Sequence, residues 1–244
     1  MTALAAAAQA LAASHHALGR ATRGRAWSPD GSPVTRALEE AQRHLAAAHA
    51  GAATVPKAAE WYLDNYYLIR RVARQVDDEL PRGFVHHLPQ LAGGPDRGEL
   101  RIAVLARALI RVGTADLDLA TVRGFVDAYQ GVASLTIAEL WALPTMLRAS
   151  VLAHLLEYLD RLEPPRAGAP PAAGEPAARD PAELDPGAGV ERSTRALRLL
   201  DVIDWKRFFE DTSRVEAILR TDPARVYPRM DFATCDAYRK VVEA

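Results

Sequence analysis

The chain has 244 residues, of which 49% are hydrophobic and 25% charged, and these proportions exclude a wholly disordered protein. With 30 basic and 31 acidic residues the formal net charge is −1, so no basic excess argues for nucleic acid as a partner. Cys235 is the only cysteine, which excludes an intrachain disulfide and a cysteine metal cluster.

The first residues are rich in alanine and leucine, which predicts a helix within residues 2–20. This segment lacks the basic and strongly apolar regions of a signal peptide, and no apolar run reaches the ~20 residues of a membrane-spanning helix. We therefore expect a cytoplasmic chain that does not itself span a membrane. A loop is predicted from Gly19 to Pro33, and Ser32-Pro33 then opens a helix to about Ala50. Since this region has few large apolar side chains, we expect residues 1–53 to be marginally ordered without a partner.

A helical bundle is predicted over residues 54–162. Between residues 58 and 80 the apolar side chains recur at alternating steps of four and three, as on one face of a helix. They are Tyr62, Tyr66, Ile69, Ala73, Val76 and Leu80. Similar patterns predict helices around residues 102–112 and 119–129.

The sequence Thr136-Ile137-Ala138-Glu139 matches a capping box, in which the side chains of the first and fourth residues bond each other's backbone amides. The helix that follows carries Pro144, which removes one backbone hydrogen bond and predicts a kink. This helix closes the predicted bundle.

Residues 163–189 contain seven of the sixteen prolines among alanine, glycine and charged residues, which predicts a linker. Helical periodicity returns over residues 190–244. Asp222-Pro223 resembles a helix N-cap with proline at the first helical position, and a last helix is predicted from about Thr234. Because the pattern ends without a C-cap, we expect this C-terminal segment to be truncated. The whole chain is predicted to be all-α.

Three motifs have a possible metal or nucleophilic role, and each has a simpler interpretation. Asp116-Leu117-Asp118 could hold a divalent cation, but it precedes a predicted helix, where aspartate is favoured as a cap. His86-His87 and His154 lack the partners of a metal site. Cys235 has no surrounding features of a catalytic cysteine. No phosphate-binding glycine loop or nucleophile elbow is present.

The aromatic cluster between Trp61 and Tyr67 could be a platform on which sugar rings stack. Its periodicity instead places Tyr62 and Tyr66 in the core, as is usual for aromatic residues at helical spacing. Tyr67 lies at the edge of that stripe and is the residue most available for another role.

At these residues the sequence resembles the N-terminal helical region of bacterial cyclic β-1,2-glucan synthases. The matching stretches include Glu60-Trp61-Tyr62-Leu63-Asp64-Asn65, Leu80-Pro81-Arg82-Gly83-Phe84, Leu135-Thr136-Ile137-Ala138-Glu139-Leu140-Trp141 and residues 195–200, 205–209, 222–227 and 230–234. Leu100 and Cys235 depart from the family pattern, which has proline and arginine there.

The resemblance implies a segment of a membrane glycosyltransferase that polymerises glucose from UDP-glucose with a divalent metal, in transferase and phosphorylase-like domains downstream of this region. It implies no catalytic, substrate-binding or metal-binding residue and no cofactor in this chain. The expected partners are those downstream domains, in cis or in trans, with β-glucan as a further candidate. The candidate contact residues are Asp64, Asn65, Tyr67, Arg82 and Trp141.

The leading hypothesis is therefore a non-catalytic scaffold or regulatory segment of such a synthase, at the inner face of the inner membrane. A free-standing module that binds carbohydrate or the synthase, and a general helical adaptor, remain as alternatives.

Overall fold

The computed structural model describes residues 2–15, 18–19, 33–51, 56–80, 82–112, 117–162 and 185–243. Its elements are α1 (Ala3–Ser14), β1 (Leu18–Gly19), α2 (Pro33–Gly51), α3 (Lys57–Glu79), α4 (Arg82–Val85), β2 (Gln90–Leu91), α5 (Arg101–Val112), α6 (Leu119–Gln130), α7 (Ile137–Leu162), α8 (Pro186–Val202), α9 (Trp205–Thr212), α10 (Arg214–Leu219), a 3₁₀ turn (Tyr227–Arg229) and α11 (Phe232–Glu243). The all-α prediction is confirmed, since the two strands of the described ranges form a ladder of two residue pairs and the other elements are helical.

The chain divides into two compact units. The first unit contains Met1–Trp27, Arg82–Leu147 and Val202–Ala244, and the second contains Ser28–Pro81 and Arg148–Asp201. The division into four sequence segments (residues 1–53, 54–162, 163–189 and 190–244) is a separate matter and stays a prediction. Most of the predicted linker, residues 163–184, lies outside the described residues, as does most of the predicted loop before Pro33.

In the first unit the alanine-rich helix α1 packs against α5 and α6. Ala8 and Ala12 are fully buried on the contacting side, so small side chains allow the helices to approach closely. His15, directly after the helix, is buried and its Nδ1 lies 2.7 Å from the hydroxyl oxygen of Tyr129 on α6. The helix is therefore docked by packing and by the contact of His15 with Tyr129, although it offers few large apolar groups.

In the second unit α3 packs against α2 with the predicted apolar face inward. Five of the six predicted side chains are buried: Tyr62, Ile69, Ala73, Val76 and Leu80. The prediction that Tyr66 also lies in the core is wrong, since this residue is only partly buried at the edge of the face. The Tyr62 hydroxyl donates a 2.6 Å hydrogen bond to the carbonyl oxygen of Leu38 on α2, and burial raises the pKa of this phenol. The repeat of four and three residues thus gave the correct inner face of α3.

Two local expectations near the C-terminal end have different outcomes. The helix α11 begins at Phe232, two residues before the predicted start. The interpretation of Asp222 as a helix N-cap is wrong. Its carboxylate accepts hydrogen bonds from the amides of Ala224, Val226 and Tyr227, and the segment forms a tight turn followed by one 3₁₀ turn.

Candidate functional site

The five candidate contact residues are divided between the two units. Asp64, Asn65 and Tyr67 lie on α3 in the second unit, whereas Arg82 and Trp141 belong to the first unit. Arg82 is the first residue of α4, and its side chain is not among the parts of the chain that the structure describes.

Tyr67 is the most prominent of them, because 70% of its surface is exposed. It lines an open surface depression along α3 with Arg70, Arg71 and Arg74, which follow it at steps of three, four and seven residues. These steps place the four side chains on one face of the helix. We call them the Tyr67 face. An exposed phenol ring beside guanidinium groups can stack on a flat apolar surface and donate hydrogen bonds to hydroxyl or anionic groups.

The arginines of the Tyr67 face differ in how strongly they are already engaged. Arg71 is ion-paired with Asp201, and Arg70 lies 3.9 Å from the carboxylate of Glu39. Arg74 has no ion pair with any residue in the described ranges. A ligand on this face would therefore meet Arg74 without first breaking an ion pair to a described residue.

Asn65 serves the interior of the second unit. Only 7% of its surface is exposed, its amide nitrogen donates to the Trp61 carbonyl oxygen, and its side-chain oxygen accepts a 2.7 Å bond from Arg198 on α8. These bonds satisfy the buried amide and tie α8 to α3. Little of Asn65 is left for a partner, whereas Asp64 beside it is exposed.

Trp141 lies on α7 and is 38% exposed. Its indole stacks on Phe209 of α9, with ring centroids 4.7 Å apart and planes 28° from parallel. Since Phe209 is buried, this contact joins α7 to α9 within the core of the first unit. The exposed part of the indole is the portion open to a partner.

A buried ion pair lies directly behind the capping box, and the sequence pattern did not reveal it. The Thr136 amide donates to the Glu139 carboxylate and the Glu139 amide donates to Thr136 Oγ1, which confirms the predicted box. The Glu139 carboxylate also binds Arg101 in a bidentate ion pair, and both side chains are buried. Arg101 donates a further 3.1 Å bond to the Ser134 carbonyl oxygen. The buried Arg–Glu pair joins α5 to the start of α7.

A second buried charge cluster, around Glu216 on α10, was also missed. The Glu216 carboxylate accepts bonds of 2.7 Å from Arg239, 2.7 Å from Arg220 and 2.6 Å from the Tyr227 hydroxyl. Burial raises the pKa of this carboxyl, but the three hydrogen bonds outweigh burial and hold the pKa below its ordinary value. Arg220 follows Glu216 by four residues, a spacing that is common on helix surfaces, whereas Tyr227 and Arg239 are 11 and 23 positions away. A search by sequence motif therefore could not find the cluster as a whole.

The structure also places the aspartate, histidine and cysteine motifs for which the sequence favoured a structural role. Asp118 accepts a 2.8 Å bond from the Thr121 amide at the start of α6, which confirms the cap, while Asp116 is outside the described residues. Cys235 is buried, and His86 and His87 are exposed. Within the described ranges, no group of three or more histidine, cysteine or acidic side chains is arranged to hold a metal ion. Nor does any helix of those ranges combine the length and apolar character of a membrane span.

Comparison with characterised proteins supports the resemblance seen in the sequence. The chain is 32% identical over 116 residues to the cyclic beta-(1,2)-glucan synthase NdvB of Rhizobium meliloti (strain 1021). The similar region covers 47% of this chain and 4% of that synthase, so the chain corresponds to a small part of its relative. No family model matches the chain.

Proposed function

We propose that this chain is a non-catalytic helical scaffold or regulatory segment of a cyclic β-(1,2)-glucan synthase. In this proposal, glucosyl transfer from UDP-glucose takes place in domains that are not among the described helices. The segment would act at the cytoplasmic face of the inner membrane, beside those domains. The observation that carries the proposal is the 32% identity over 116 residues to the Rhizobium meliloti synthase.

The buried charged side chains are bonded to other side chains of the fold, which favours a scaffold over an active site. Glu139 is committed to Arg101 and a capping box, and Glu216 is committed to two arginines and a tyrosine. Buried charges that are paired and hydrogen-bonded in this way are costly to separate from their partners and are poorly placed to exchange protons with a substrate. The strongest electrostatic features of the described chain thus have structural partners.

The first test concerns catalysis by the chain itself. Purified chain is incubated with radiolabelled UDP-glucose and a divalent cation, and label in glucan or on protein is counted. We expect incorporation no higher than in a sample lacking the chain. Transfer of glucose above that background would overturn the non-catalytic role.

The second test concerns the scaffold role. The similar region of the Rhizobium meliloti synthase is replaced by the corresponding residues of this chain, and cyclic glucan is measured in cells from which the native synthase was deleted. We expect glucan production from this hybrid and none from a hybrid carrying an unrelated helical bundle of equal length. Equal production from both hybrids would show that the segment is dispensable, and the scaffold role would be wrong.

A second candidate function is carbohydrate binding at the Tyr67 face. It is favoured by the 70% exposure of Tyr67 beside Arg74, because an open aromatic ring with a neighbouring donor suits a pyranose ring. Titration with β-1,2-glucan, followed by calorimetry, tests it. Binding that is lost in Tyr67→Ala would support this function. Absence of heat at millimolar glucan, or equal binding by Tyr67→Ala, would exclude glucan recognition at this face.

A further inference from the structure

Exposed apolar side chains are concentrated at the C-terminal end of the first unit. Among the described residues, eleven large hydrophobic side chains are exposed, and five of them lie between residues 218 and 242. They are Ile218, Val226, Tyr238, Val241 and Val242, with 68%, 52%, 50%, 78% and 56% of their surfaces exposed. Isolated exposed apolar residues are common, but such a concentration marks a surface that another molecule covers.

These residues form one surface. Ile218, Val226 and Tyr238 line a single groove, together with Leu219, Tyr227 and Met230. Val241 and Val242 follow Tyr238 at three and four residues, so they extend the same face along α11. Tyr227 and Tyr238 meet edge to face with centroids 6.4 Å apart, which connects the groove to the helix. We call this surface the C-terminal groove.

The charges at the edge of the groove are unbalanced. Arg225 and Arg229 are exposed, and neither makes an ion pair with a described residue. They do not line the groove themselves, but each adjoins a lining residue in the chain, Val226 and Met230 respectively. Three carboxylates near the groove already have partners. Asp222 binds three backbone amides of the turn, Asp231 binds the amide and hydroxyl of Thr234, and Glu216 is buried in its arginine cluster. The groove therefore has an apolar floor and two arginines available at its rim.

The turn that presents Arg225 is held in an uncommon conformation. Arg225 has a φ of 52°, in the left-handed region that non-glycine residues rarely adopt, and it is the only non-glycine residue in the described ranges with a positive φ. The three bonds to the Asp222 carboxylate hold the turn in place. Strained residues of this kind persist where the surroundings fix them, and they are frequent at binding surfaces. The turn that carries Arg225 is thus held in one conformation before a partner binds.

We propose that the C-terminal groove binds an amphipathic helix of another polypeptide whose apolar face is flanked by carboxylates. An apolar groove between helices is the usual receptor for the apolar stripe of a helix. Carboxylates beside that stripe would complement Arg225 and Arg229, which selects an acidic over a basic partner. This inference is independent of the role in glucan synthesis.

The test uses synthetic helices as probes. Two peptides of about 18 residues, or five helical turns, carry leucines at steps of three and four, with glutamates flanking the stripe in one and lysines in the other. A scrambled glutamate peptide is the third probe. Binding to the full chain is followed by fluorescence anisotropy. We expect the glutamate helix to bind about tenfold or more tightly than the lysine helix, and the scrambled peptide not to bind.

Substitutions in the chain then locate the site. Val241→Asp should weaken binding of the glutamate helix about tenfold or more, because it places a charge in the apolar floor. Val202→Asp is the matched control, since Val202 is 79% exposed and lies outside the groove, and it should leave binding unchanged. Arg229→Glu should reduce the preference for the glutamate helix, and the pair Arg225→Glu and Arg229→Glu should reverse it in favour of the lysine helix.

Several outcomes would overturn the proposal. One is equal affinity for the two helices, and another is a preference that the arginine substitutions leave unchanged. A doubled mass in light scattering that Val241→Asp returns to a monomer would identify a second copy of the chain as the occupant. Binding to anionic phospholipid vesicles with no binding of either peptide would identify a membrane surface. If Val241→Asp fails to fold, as judged by circular dichroism, the substitutions at exposed Arg229 still decide between these outcomes.

Discussion

Arg101 and Glu139 form an ion pair in which 3% and 0% of the two side chains are exposed. The Arg101 Nε donates a 2.7 Å bond to one carboxylate oxygen, and an Nη donates to the other. The same carboxylate closes the capping box of α7 through the Thr136 amide. One side chain thus links the start of a helix to a neighbouring helix, so its loss disturbs both.

Removing one partner of this pair is expected to be costly. Glu139→Gln should lower the free energy of unfolding by about 3–5 kcal/mol, because it leaves the Arg101 charge buried without a counterion. Arg101→Met should cost a similar amount, and the double variant should cost less than the sum of the two single variants. Urea denaturation followed by circular dichroism measures these differences.

The control is Arg107→Met on the same helix. Arg107 pairs with Asp96 and Glu99, but a third of its side chain is exposed, so the expected cost is about 0–1 kcal/mol. If Arg101→Met and Arg107→Met were equally mild, burial of the Arg101 pair would be in doubt.

A close approach between α7 and α8 depends on Gly189. A Cβ at this position would overlap the ring of Tyr158 on α7. We therefore expect Gly189→Ala to destabilise the chain by about 1–3 kcal/mol, partly offset by the better helix propensity of alanine. Thermal and urea unfolding of the purified variants measure the effect.

Gly124→Ala is the matched control, because Gly124 is also helical and no atom lies within 4 Å of its added Cβ. This variant should be more stable by about 0.5–1 kcal/mol. A stabilising effect at both glycines would mean that the Tyr158 ring moves away without cost.

The Glu216 cluster predicts a contribution to stability that depends on pH. Because the pKa of Glu216 is lower in the folded chain than its ordinary value of 4.5, the folded state favours the ionised form. The contribution is fully present above the unfolded pKa and is lost as the pH falls through the folded pKa. Glu216→Gln should therefore be less stable than the native chain at neutral pH, and the gap should narrow below about pH 4.5.

Urea midpoints of both proteins between neutral and acidic pH check this expectation. Glu191→Gln is the control, since Glu191 makes an exposed ion pair with Arg195 one helical turn away. A gap between the native chain and Glu216→Gln that stays constant with pH would contradict the low pKa of Glu216.

Two tyrosines on α3 should respond differently to substitution. Tyr62→Phe removes the hydroxyl that binds the Leu38 carbonyl oxygen in the core, and we expect a loss of about 0.5–1.5 kcal/mol. Tyr67→Phe changes a side chain that is 70% exposed and should alter stability by less than about 0.5 kcal/mol. Chemical denaturation of the two variants compares them directly. A large loss from Tyr67→Phe would show that the Tyr67 hydroxyl is already hydrogen-bonded within the fold, and the Tyr67 face would not be open to a ligand.

Local patterns in the sequence predicted much of the helical architecture. The inner face of α3, the capping box at Thr136 and Glu139 and the Asp118 cap of α6 were all correct, because each depends on residues three or four apart on one helix. The same kind of reasoning failed at Asp222, since a carboxylate followed by proline can bind the amides of a turn as well as those of a helix.

Such local patterns could not predict contacts between residues that are far apart in the sequence. Arg101 and Glu139 are 38 positions apart, and Asn65 and Arg198 are 133 apart. Their pairing depends on how helices pack, which no spacing along one helix records. For this reason Asn65 seemed available for a partner and is in fact buried, whereas the groove beside Arg225 and Arg229 became visible only once α10, the turn and α11 were brought together. Helix starts and inner faces follow from short-range hydrogen bonding and periodicity, while buried ion pairs and binding grooves follow from long-range packing.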